Sequence, residues 1–247
     1  MMTYETLFAR VYNARWVDFA RTAAPAIREV YESTPLGASE RTLLDVACGT
    51  GQLATYFLEA GYTVTGLDLS PAMLDHARQN AGGRGTFILG DAADFSIPEP
   101  VGLAVSTYDA LNHLPDLAAL RGCLQSVSAA LRTGGTFTFD LNTRHGLSRW
   151  SGVQVMESED MTIITRGVYD GGDRAFTQIS GYVRAEDGRY DRFNEVIANT
   201  VFDMVDVRAA LSDAGFSTAY PAVLRALAEP IEDPEAVGRV FWVARRA

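Results

Sequence analysis

The sequence predicts an α/β fold built on a doubly wound, mostly parallel sheet, with a small antiparallel sheet inserted into it. Two observations carry this prediction. Short apolar runs alternate with helix-period segments from residue 43 to residue 139, a pattern typical of repeated βαβ units. Residues 141–201 instead show period-two runs rich in Thr, Val, Ile and aromatic residues, separated by two turns that contain Asp-Gly. The chain length of 247 residues fits one main domain with such an insertion.

An aromatic stripe begins the chain. Aromatic side chains recur there at three- and four-residue intervals, in the order Tyr4, Phe8, Tyr12, Trp16 and Phe19. This spacing places them along one face of a helix. We therefore predict a helical arm over residues 1–36, and we expect Pro25 to break or kink it, because proline cannot donate the helical hydrogen bond.

Five strands and three helices follow the arm in alternation. The strands are predicted at residues 43–47, 62–67, 86–89, 101–107 and 136–139. The helices are predicted around residues 53–57, 71–80 and 116–131. Ser70 and Pro71 supply an N-cap and a first-turn proline for the second helix. Gly134 and Gly135 are expected to end the third helix before the fifth strand.

Helical periodicity returns after the period-two segment, at residues 205–214, and the apolar run 240–244 predicts a final sheet strand. Residues 37–140 and 202–247 are therefore assigned to the α/β core. Residues 141–201 are assigned to the antiparallel insertion.

Composition and charge exclude several classes of protein. Lys and Arg number 21 against 31 Asp and Glu, so the net charge is −10, which disfavours nucleic acid and anionic membranes as partners. No apolar stretch approaches the length of a membrane span. Cys48 and Cys123 are too few for a disulfide scaffold or a zinc site, and no cluster of ligands predicts a metal. We expect a cytoplasmic protein.

A glycine turn lies where the first strand meets the first helix, which is where a doubly wound sheet binds a nucleotide. It reads Asp45-Val46-Ala47-Cys48-Gly49-Thr50-Gly51. A glycine pair alone is equally compatible with a simple tight turn. Asp68, which ends the second strand 17 residues after Gly51, favours the nucleotide site, because a carboxylate near this spacing holds both ribose hydroxyls.

The same features suit NAD and S-adenosylmethionine, and three observations favour the second. Ala54 occupies the place of the third glycine, which would let a pyrophosphate approach the helix. Asp45 would repel a pyrophosphate but attract the ammonium group of a methionine moiety. Asp91, after the third strand, can accept a hydrogen bond from the adenine amino group.

Residues 43–51, 64–70, 90–95 and 131–137 together resemble the successive motifs of class I S-adenosylmethionine-dependent methyltransferases. Residues 109–114, 139–143 and 229–246 extend the likeness to a bacterial small-molecule-type subfamily, so that it covers nearly the whole chain. The resemblance implies a Rossmann-like methyltransferase fold with a seven-stranded sheet, an N-terminal helical arm and, in residues 141–201, a β-lid on the acceptor side. Ala47 departs from the pattern, since many of these enzymes have a glycine there.

The resemblance also implies which residues hold the cofactor. Ala47, Gly49 and Gly51 would lie against its methionine part and Asp68 against its ribose. The adenine would contact Leu69, Met73, Asp91 and Ala92, Thr107 would line the sulfonium region, and Tyr12 would cover the cofactor from the arm. Core packing remains an alternative for Leu69 and Met73. A solvated turn remains an alternative for Asp68.

His113, after the fourth strand, is the candidate general base, because the carboxyl edge of the sheet is where ligands bind and histidine titrates near neutrality. Packing against the cofactor or capping of the next helix is the alternative. Residues that would face the acceptor are Tyr108, Asn112, Asn142, Arg144, Trp150, Arg166, Tyr182 and Arg192. Each of these side chains also has the alternative of packing or of lying in solvent.

We therefore expect direct, in-line methyl transfer from S-adenosylmethionine to N or O of a small-molecule acceptor. Orientation and water exclusion supply most of the rate in such a reaction, so an assured base is not required. Two alternatives stay open at this point: an NAD-dependent oxidoreductase, and a non-catalytic S-adenosylmethionine-binding partner protein. The oligomeric state, monomer or homodimer, also stays open.

Overall fold

Eleven strands form two separate sheets in the computed structural model, which describes residues 6–247. In chain order they are β1 Thr42–Val46, β2 Thr63–Asp68, β3 Thr86–Leu89, β4 Val101–Ser106, β5 Leu131–Asn142, β6 Val153–Glu157, β7 Met161–Tyr169, β8 Arg174–Arg184, β9 Tyr190–Thr200, β10 Phe216–Ala222 and β11 Arg239–Arg246. Tyr4 of the aromatic stripe lies outside the described residues.

The larger sheet has seven strands in the order β10-β11-β5-β4-β1-β2-β3. The five neighbouring strands β5, β4, β1, β2 and β3 all pair in parallel. Strand β11 instead runs antiparallel to both of its neighbours, β5 and β10. The strand order reverses between β1 and β4, so a crevice is expected at the carboxyl ends of these two strands. The predicted doubly wound, mostly parallel sheet is confirmed.

Seven helices occur among the described residues: α1 Thr6–Arg15, α2 Asp18–Glu32, α3 Gln52–Glu59, α4 Pro71–Asn80, α5 Leu117–Ala130, α6 Arg144–Leu147 and α7 Met204–Asp213. The Ser70 hydroxyl accepts the backbone N–H of Met73 at 3.3 Å, so the predicted N-cap of α4 is confirmed. None of these helices combines the length and the apolar character that crossing a bilayer requires.

The expected break at Pro25 is wrong. Helix α2 continues through Pro25, and the chain leaves the helical path earlier, at Trp16 and Val17. The buried face of α2, which includes Ala24 and Ile27, packs on the sheet on both sides of the proline. This packing outweighs the hydrogen bond that proline cannot donate.

The glycine pair also lies in a different element from the one predicted. Helix α5 ends at Ala130, and both Gly134 and Gly135 belong to β5. The pairing between β4 and β5 shifts register between Val101 and Leu103, and Gly134 there adopts a φ of +77°. The glycines therefore accommodate an irregular strand start, not a helix end.

Helices cover both faces of the seven-stranded sheet. One apolar cluster joins α5 and α7 to the sheet, and a second joins α2, α3 and α4 to the opposite face. Adjacent residues of β11 show the division, since Trp242 belongs to the first cluster and Phe241 to the second. This period-two alternation is what a sheet buried on both faces requires.

The smaller sheet is antiparallel, with the strand order β6-β7-β8-β9, so the predicted inserted sheet is confirmed. One face of this sheet packs on the rest of the molecule through Ile163, Ile179 and Phe193. These side chains form a cluster with Phe8 of α1 and Met73 of α4. The four-stranded sheet thus lies over the arm and over the carboxyl edge of the larger sheet.

Candidate active site

A cavity of about 480 Å³ lies between the carboxyl edge of the parallel strands, helix α1 and the four-stranded sheet. Nine of the residues predicted from the sequence line it: Tyr12, Ala47, Gly49, Asp68, Met73, Thr107, Tyr108, His113 and Trp150. They come from the glycine turn, the end of β2, helix α4, the segment that follows β4, the arm and the segment before β6. The topology of the sheet therefore brings distant parts of the chain to one crevice.

A second, smaller cavity of about 40 Å³ shares Ala47, Thr107 and the arm residue Tyr12 with the first. Asp45 and Thr50 line it, and both are almost fully buried. Asp45 Oδ2 and Thr50 Oγ1 have no hydrogen-bond partner among the described residues. Burial, followed by repulsion from Asp68, raises the pKa of Asp45 to about 8.

Such orphaned polar atoms fit the ammonium and carboxylate groups at the methionine end of S-adenosylmethionine. A carboxylate accepts hydrogen bonds from an ammonium group, and a hydroxyl donates to a carboxylate. Leaving either atom unpaired in the interior costs about 1–3 kcal/mol, which a bound ligand recovers. The residues present therefore fit the expected cofactor.

Three residues of the glycine turn have positive φ values, which are uncommon for residues other than glycine. Gly49 and Gly51 have φ values of +53° and +72°, and Ala47 has a φ of +56°. A Cβ on Gly51 would lie 2.9 Å from the Cβ of Ala77, so α3 and α4 can approach only because this residue is glycine. Gly51 lines neither cavity, in contrast to Ala47 and Gly49. Its role in this structure is to allow the turn and the helix packing.

Asp68 is anchored to the glycine turn. Its Oδ2 accepts the N–H of Gly49 at 2.8 Å and its Oδ1 accepts the N–H of Ser70 at 2.9 Å. Burial raises the pKa of Asp68, and these backbone donors lower it in part. A carboxylate offers about four acceptor positions, so Asp68 keeps acceptor capacity for a hydroxyl group on the cavity side.

Three residues predicted to contact adenine lie outside the lining of this cavity. Leu69 and Ala92 are partly buried elsewhere, and Asp91 Oδ1 accepts the N–H of Ala93 at 2.9 Å in a local turn. Met73 differs from them, since it lines the cavity and is also part of an apolar cluster. The adenine contacts of Leu69, Asp91 and Ala92 stay predictions.

His113 ends the short 3-10 helix Ala110–His113, which follows β4. Its Nδ1 lies 3.1 Å from the carbonyl oxygen of Ala198 in β9. A carbonyl oxygen can only accept, so in the neutral imidazole Nδ1 carries the proton and Nε2 carries the lone pair. His113 lines the cavity, which is consistent with its prediction as the candidate base.

The segment before His113 is strained and is held by a buried ionic network. Tyr108 and Asp109 have φ values of +67° and +51°. The carboxylate of Asp140 accepts their two backbone N–H groups at 2.6 and 2.9 Å. Arg239 donates to Asp109 at 2.7 Å and to Asp140, and its guanidinium lies over the rings of Phe19 and Tyr108. Strain of this kind persists where the surroundings determine it, typically at a functional site.

Helix α1 closes one side of the cavity with aromatic rings. Tyr12 stacks on Trp16, with ring centroids 5.5 Å apart, and meets Tyr108 edge-on at 6.4 Å. Arg15 does not line the cavity, since its Nη2 donates to Ser158 Oγ at 2.7 Å. The arm therefore connects the core to the four-stranded sheet.

The predicted acceptor contacts of Arg166, Tyr182 and Arg192 are corrected by the structure. Residues of β7, β8 and β9 that line the cavity include Thr165 and Ile197, and all of them carry odd numbers. Successive side chains of a strand point to opposite faces, so the three even-numbered residues lie on the outer face of the sheet.

Asn112, Asn142 and Arg144 also lie outside the cavity lining. Asn112 is fully buried, and its amide bonds the carbonyl of Thr200 at 2.9 Å and the N–H of Asn142 at 2.9 Å. Arg144 donates to the hydroxyl of Tyr169 at 2.9 Å. These residues join elements of the fold, and their acceptor contacts stay predictions.

Sequence reasoning missed several residues that line the cavity. Phe8, Asp109, Arg149, Asn199 and Arg239 all line it. Asn199 is 1% exposed, and its Oδ1 has no hydrogen-bond partner among residues 6–247. The period-two alternation of β9 showed which residues share a face with Asn199. Nothing in the sequence showed which face of the strand meets the cavity.

Comparisons with known proteins agree with this geometry. Residues 43–135 match the family described as "Methyltransferase domain". The chain is 28% identical over 229 residues to dTDP-3-amino-3,4,6-trideoxy-alpha-D-glucopyranose N,N-dimethyltransferase of Streptomyces venezuelae, covering 88% of this chain and 93% of that one. It is 32% identical over 129 residues to dTDP-3-amino-3,6-dideoxy-alpha-D-glucopyranose N,N-dimethyltransferase of Streptomyces fradiae, covering 52% and 49%.

Among solved structures, the chain is similar to a S-adenosylmethionine-dependent methyltransferase from Clostridium acetobutylicum ATCC 824. The TM-score is 0.79 at 22% identity, and 97% of each chain is covered, which shows the same fold. The comparisons give no support to an NAD-dependent oxidoreductase or to a non-catalytic partner protein. The matched segment, the near-full-length relative and a cavity that fits the cofactor lead to one conclusion: the chain has a methyltransferase domain and is similar over most of its length to S-adenosylmethionine-dependent methyltransferases.

Proposed function

We propose that this enzyme methylates the amino group of a nucleotide-linked amino sugar. The observation that carries the proposal is the likeness to the Streptomyces venezuelae enzyme, which extends over 88% of this chain and therefore includes the four-stranded sheet and not only the cofactor domain. The Streptomyces fradiae relative is also named for an amino sugar linked to dTDP.

The division of the chain supports this function. In the proposal, residues 37–140 and 202–247 hold the cofactor. Residues 1–36 and 141–201 enclose the acceptor as an arm and a lid. Apart from the core edge, the cavity walls come from α1, from the segment around Trp150 and from the inner face of the four-stranded sheet. Loops and inserted elements on a rigid core commonly carry recognition.

In the proposed complex, Asp45 and Thr50 bind the methionine end of S-adenosylmethionine and Asp68 binds its ribose. Ala47 and Gly49 let the ligand approach the backbone closely, and Thr107 lies beside the sulfonium region. The bound cofactor would supply an activated methyl group. The amine nitrogen attacks the methyl carbon, so that the N–C bond forms as the C–S bond breaks, and the electron pair of the C–S bond stays on the sulfur of S-adenosylhomocysteine, which is the leaving group.

The chain's own side chains then orient the acceptor, exclude water and remove one proton. Phe8, Tyr12, Trp16 and Trp150 line the cavity with aromatic surface. Burial raises the pKa of Tyr108 to about 12, so its phenol stays neutral and able to donate at neutral pH. His113 Nε2 accepts the proton that the amine loses on methylation. Proximity and alignment supply the larger part of the rate, roughly 7–11 kcal/mol in favourable cases.

Arg149 is the cavity residue best suited to the nucleotide part of the acceptor. It lies in the exposed segment before β6 and lines the cavity. A guanidinium group pairs in bidentate fashion with phosphate oxygens, so it suits the diphosphate of a sugar nucleotide. A cytoplasmic location stays a prediction, and the oligomeric state stays open between monomer and homodimer.

The test is turnover against paired acceptors. The purified enzyme is incubated with S-adenosylmethionine and either a dTDP-3-amino-3,6-dideoxyhexose or the same sugar nucleotide with a hydroxyl in place of the amine. We expect S-adenosylhomocysteine and a mass gain of one and then two methyl groups with the amine only. Methylation of the hydroxyl analogue, or cofactor binding without turnover of any amino sugar, would overturn the proposal.

A further inference from the structure

One buried amide oxygen on the cavity wall has no hydrogen-bond partner among the described residues. Asn199 belongs to β9, is 1% exposed, and its Oδ1 has no hydrogen-bond partner among residues 6–247. Buried polar groups in native proteins are nearly always paired, and each exception calls for an explanation. Because this side chain lines the cavity, a bound ligand is the available partner.

The position of Asn199 in β9 relates it to the base. The preceding residue, Ala198, holds Nδ1 of His113 through its carbonyl oxygen at 3.1 Å. Asn199 and His113 both line the same cavity. Neighbouring residues of one strand therefore orient the base and present an amide to the acceptor space.

We propose that the side-chain oxygen of Asn199 accepts a hydrogen bond from the amino group of the acceptor. This inference rests on the proposed function, because it requires an amine as the nucleophile. An N–H bond directed at Asn199 fixes the orientation of the nitrogen lone pair, which must point at the methyl carbon for in-line displacement. Asn199 is thus a residue that binds the acceptor and selects for nitrogen.

The same contact sets where methylation stops. A primary amine has two N–H bonds and a monomethylated amine keeps one, so each can donate to Asn199 while the nitrogen lone pair attacks the methyl carbon. The proton passes to His113 only after the N–C bond has formed. The neutral dimethylated amine has no N–H bond and therefore loses this contact. The account predicts that the enzyme retains the monomethyl species for a second transfer and releases the dimethyl product.

The first variant is Asn199→Leu, which keeps the branching at Cγ and removes the polar atoms of the amide. We expect the acceptor KM to rise about tenfold, the equivalent of one good hydrogen bond, while the affinity for S-adenosylhomocysteine is unchanged. The Tm of the ligand-free enzyme should stay the same or rise, because an unpaired buried oxygen is removed. The matched control is Asn194→Leu, the same change on the outer face of the same strand, which should leave KM unchanged.

The second variant is Asn199→Asp, which keeps the acceptor oxygens and adds a charge. A carboxylate stabilises the protonated amine, so the pH optimum of kcat should move to higher pH. A purely structural role predicts a lower Tm for both variants, with KM and the pH optimum unchanged, and that result would overturn the inference.

If the wild-type enzyme methylates amino sugars and Asn199→Leu leaves KM unchanged, only the role of Asn199 fails. If the wild type methylates no amino sugar, the proposed function fails and this inference fails with it.

Discussion

Nδ1 of His113 lies 3.1 Å from the carbonyl oxygen of Ala198, so a strand of the four-stranded sheet orients a side chain that follows β4 of the core. The contact gives the neutral imidazole a defined tautomer, with the proton on Nδ1 and the lone pair on Nε2. It also makes the orientation of this candidate base depend on the position of the inserted sheet.

We predict that His113→Ala lowers kcat about 100-fold, at the lower end of what a general base contributes. The affinity for S-adenosylhomocysteine, measured by calorimetry, should be unchanged. Added imidazole should restore part of the rate, because it can enter the space that the side chain leaves. A kcat within twofold of wild type would show that water takes the proton, and would remove His113 from the mechanism.

Asp68→Ala should weaken S-adenosylhomocysteine binding at least tenfold. The carboxylate is positioned by the N–H groups of Gly49 and Ser70, and hydrogen bonds to a charged group contribute about 1.5–3 kcal/mol. Isothermal titration calorimetry measures the change. The control is Asp75→Ala, an exposed carboxylate on α4 that pairs with Arg78. Equal affinities for the wild type and the Asp68 variant would contradict the assignment.

The stability of the ligand-free enzyme should depend on pH through Asp45. Burial and repulsion from Asp68 raise its pKa from 3.8 to about 8, although the backbone N–H of Ala54 opposes the shift. Between about pH 4 and pH 8 the folded state holds a proton that the unfolded state has lost. The contribution of Asp45 to stability is therefore complete below pH 4 and is lost as the pH rises through 8.

Asn cannot titrate, so the Asp45→Asn variant isolates this effect. We expect the Tm of wild type to fall relative to that of the variant between pH 5 and pH 8, and the difference to level off above pH 8. Differential scanning calorimetry across this range checks the prediction. Parallel Tm curves for the two proteins would show that Asp45 is already ionised when folded.

Arg239→Met should destabilise the protein by about 3 kcal/mol, because it leaves the carboxylates of Asp109 and Asp140 without their cation in a buried site. Urea denaturation measures the loss. Arg245→Met is the matched control, since it makes the same change at an exposed position of the same strand, and it should cost less than 0.5 kcal/mol. Similar losses for both variants would contradict a structural role for the network.

The sequence was sufficient for those features that depend on local patterns. The alternation of apolar runs and helical segments located the first five strands, and the glycine turn and Asp68 were predicted at positions that line the cavity. Strand β10 has no such pattern, because Phe216–Ala222 contains a proline and a register shift, so only the family resemblance implied a seventh strand. The error at Pro25 arose because tertiary packing overrode a local preference.

Local sequence patterns could not identify residues that contact each other across a long separation in the chain. Arg239 and Asp140 are 99 positions apart, and neither forms part of a local motif that predicts the other. In the four-stranded sheet the period-two pattern separated two faces without showing which one meets the core. Arg166 and Arg192 were predicted to contact the acceptor because of their guanidinium groups, but they lie on the outer face of the sheet. Asn199 lies on the inner face.

One measurement tests the central claim most directly. The enzyme is supplied with S-adenosylmethionine carrying a ¹³C-labelled methyl group and with a dTDP-3-amino-3,6-dideoxyhexose, and the product is examined by ¹H–¹³C correlation NMR. The account predicts labelled methyl groups bonded to the sugar nitrogen, formed together with S-adenosylhomocysteine. Labelled methyl groups on oxygen, or no transfer by an enzyme that binds S-adenosylhomocysteine, would contradict it.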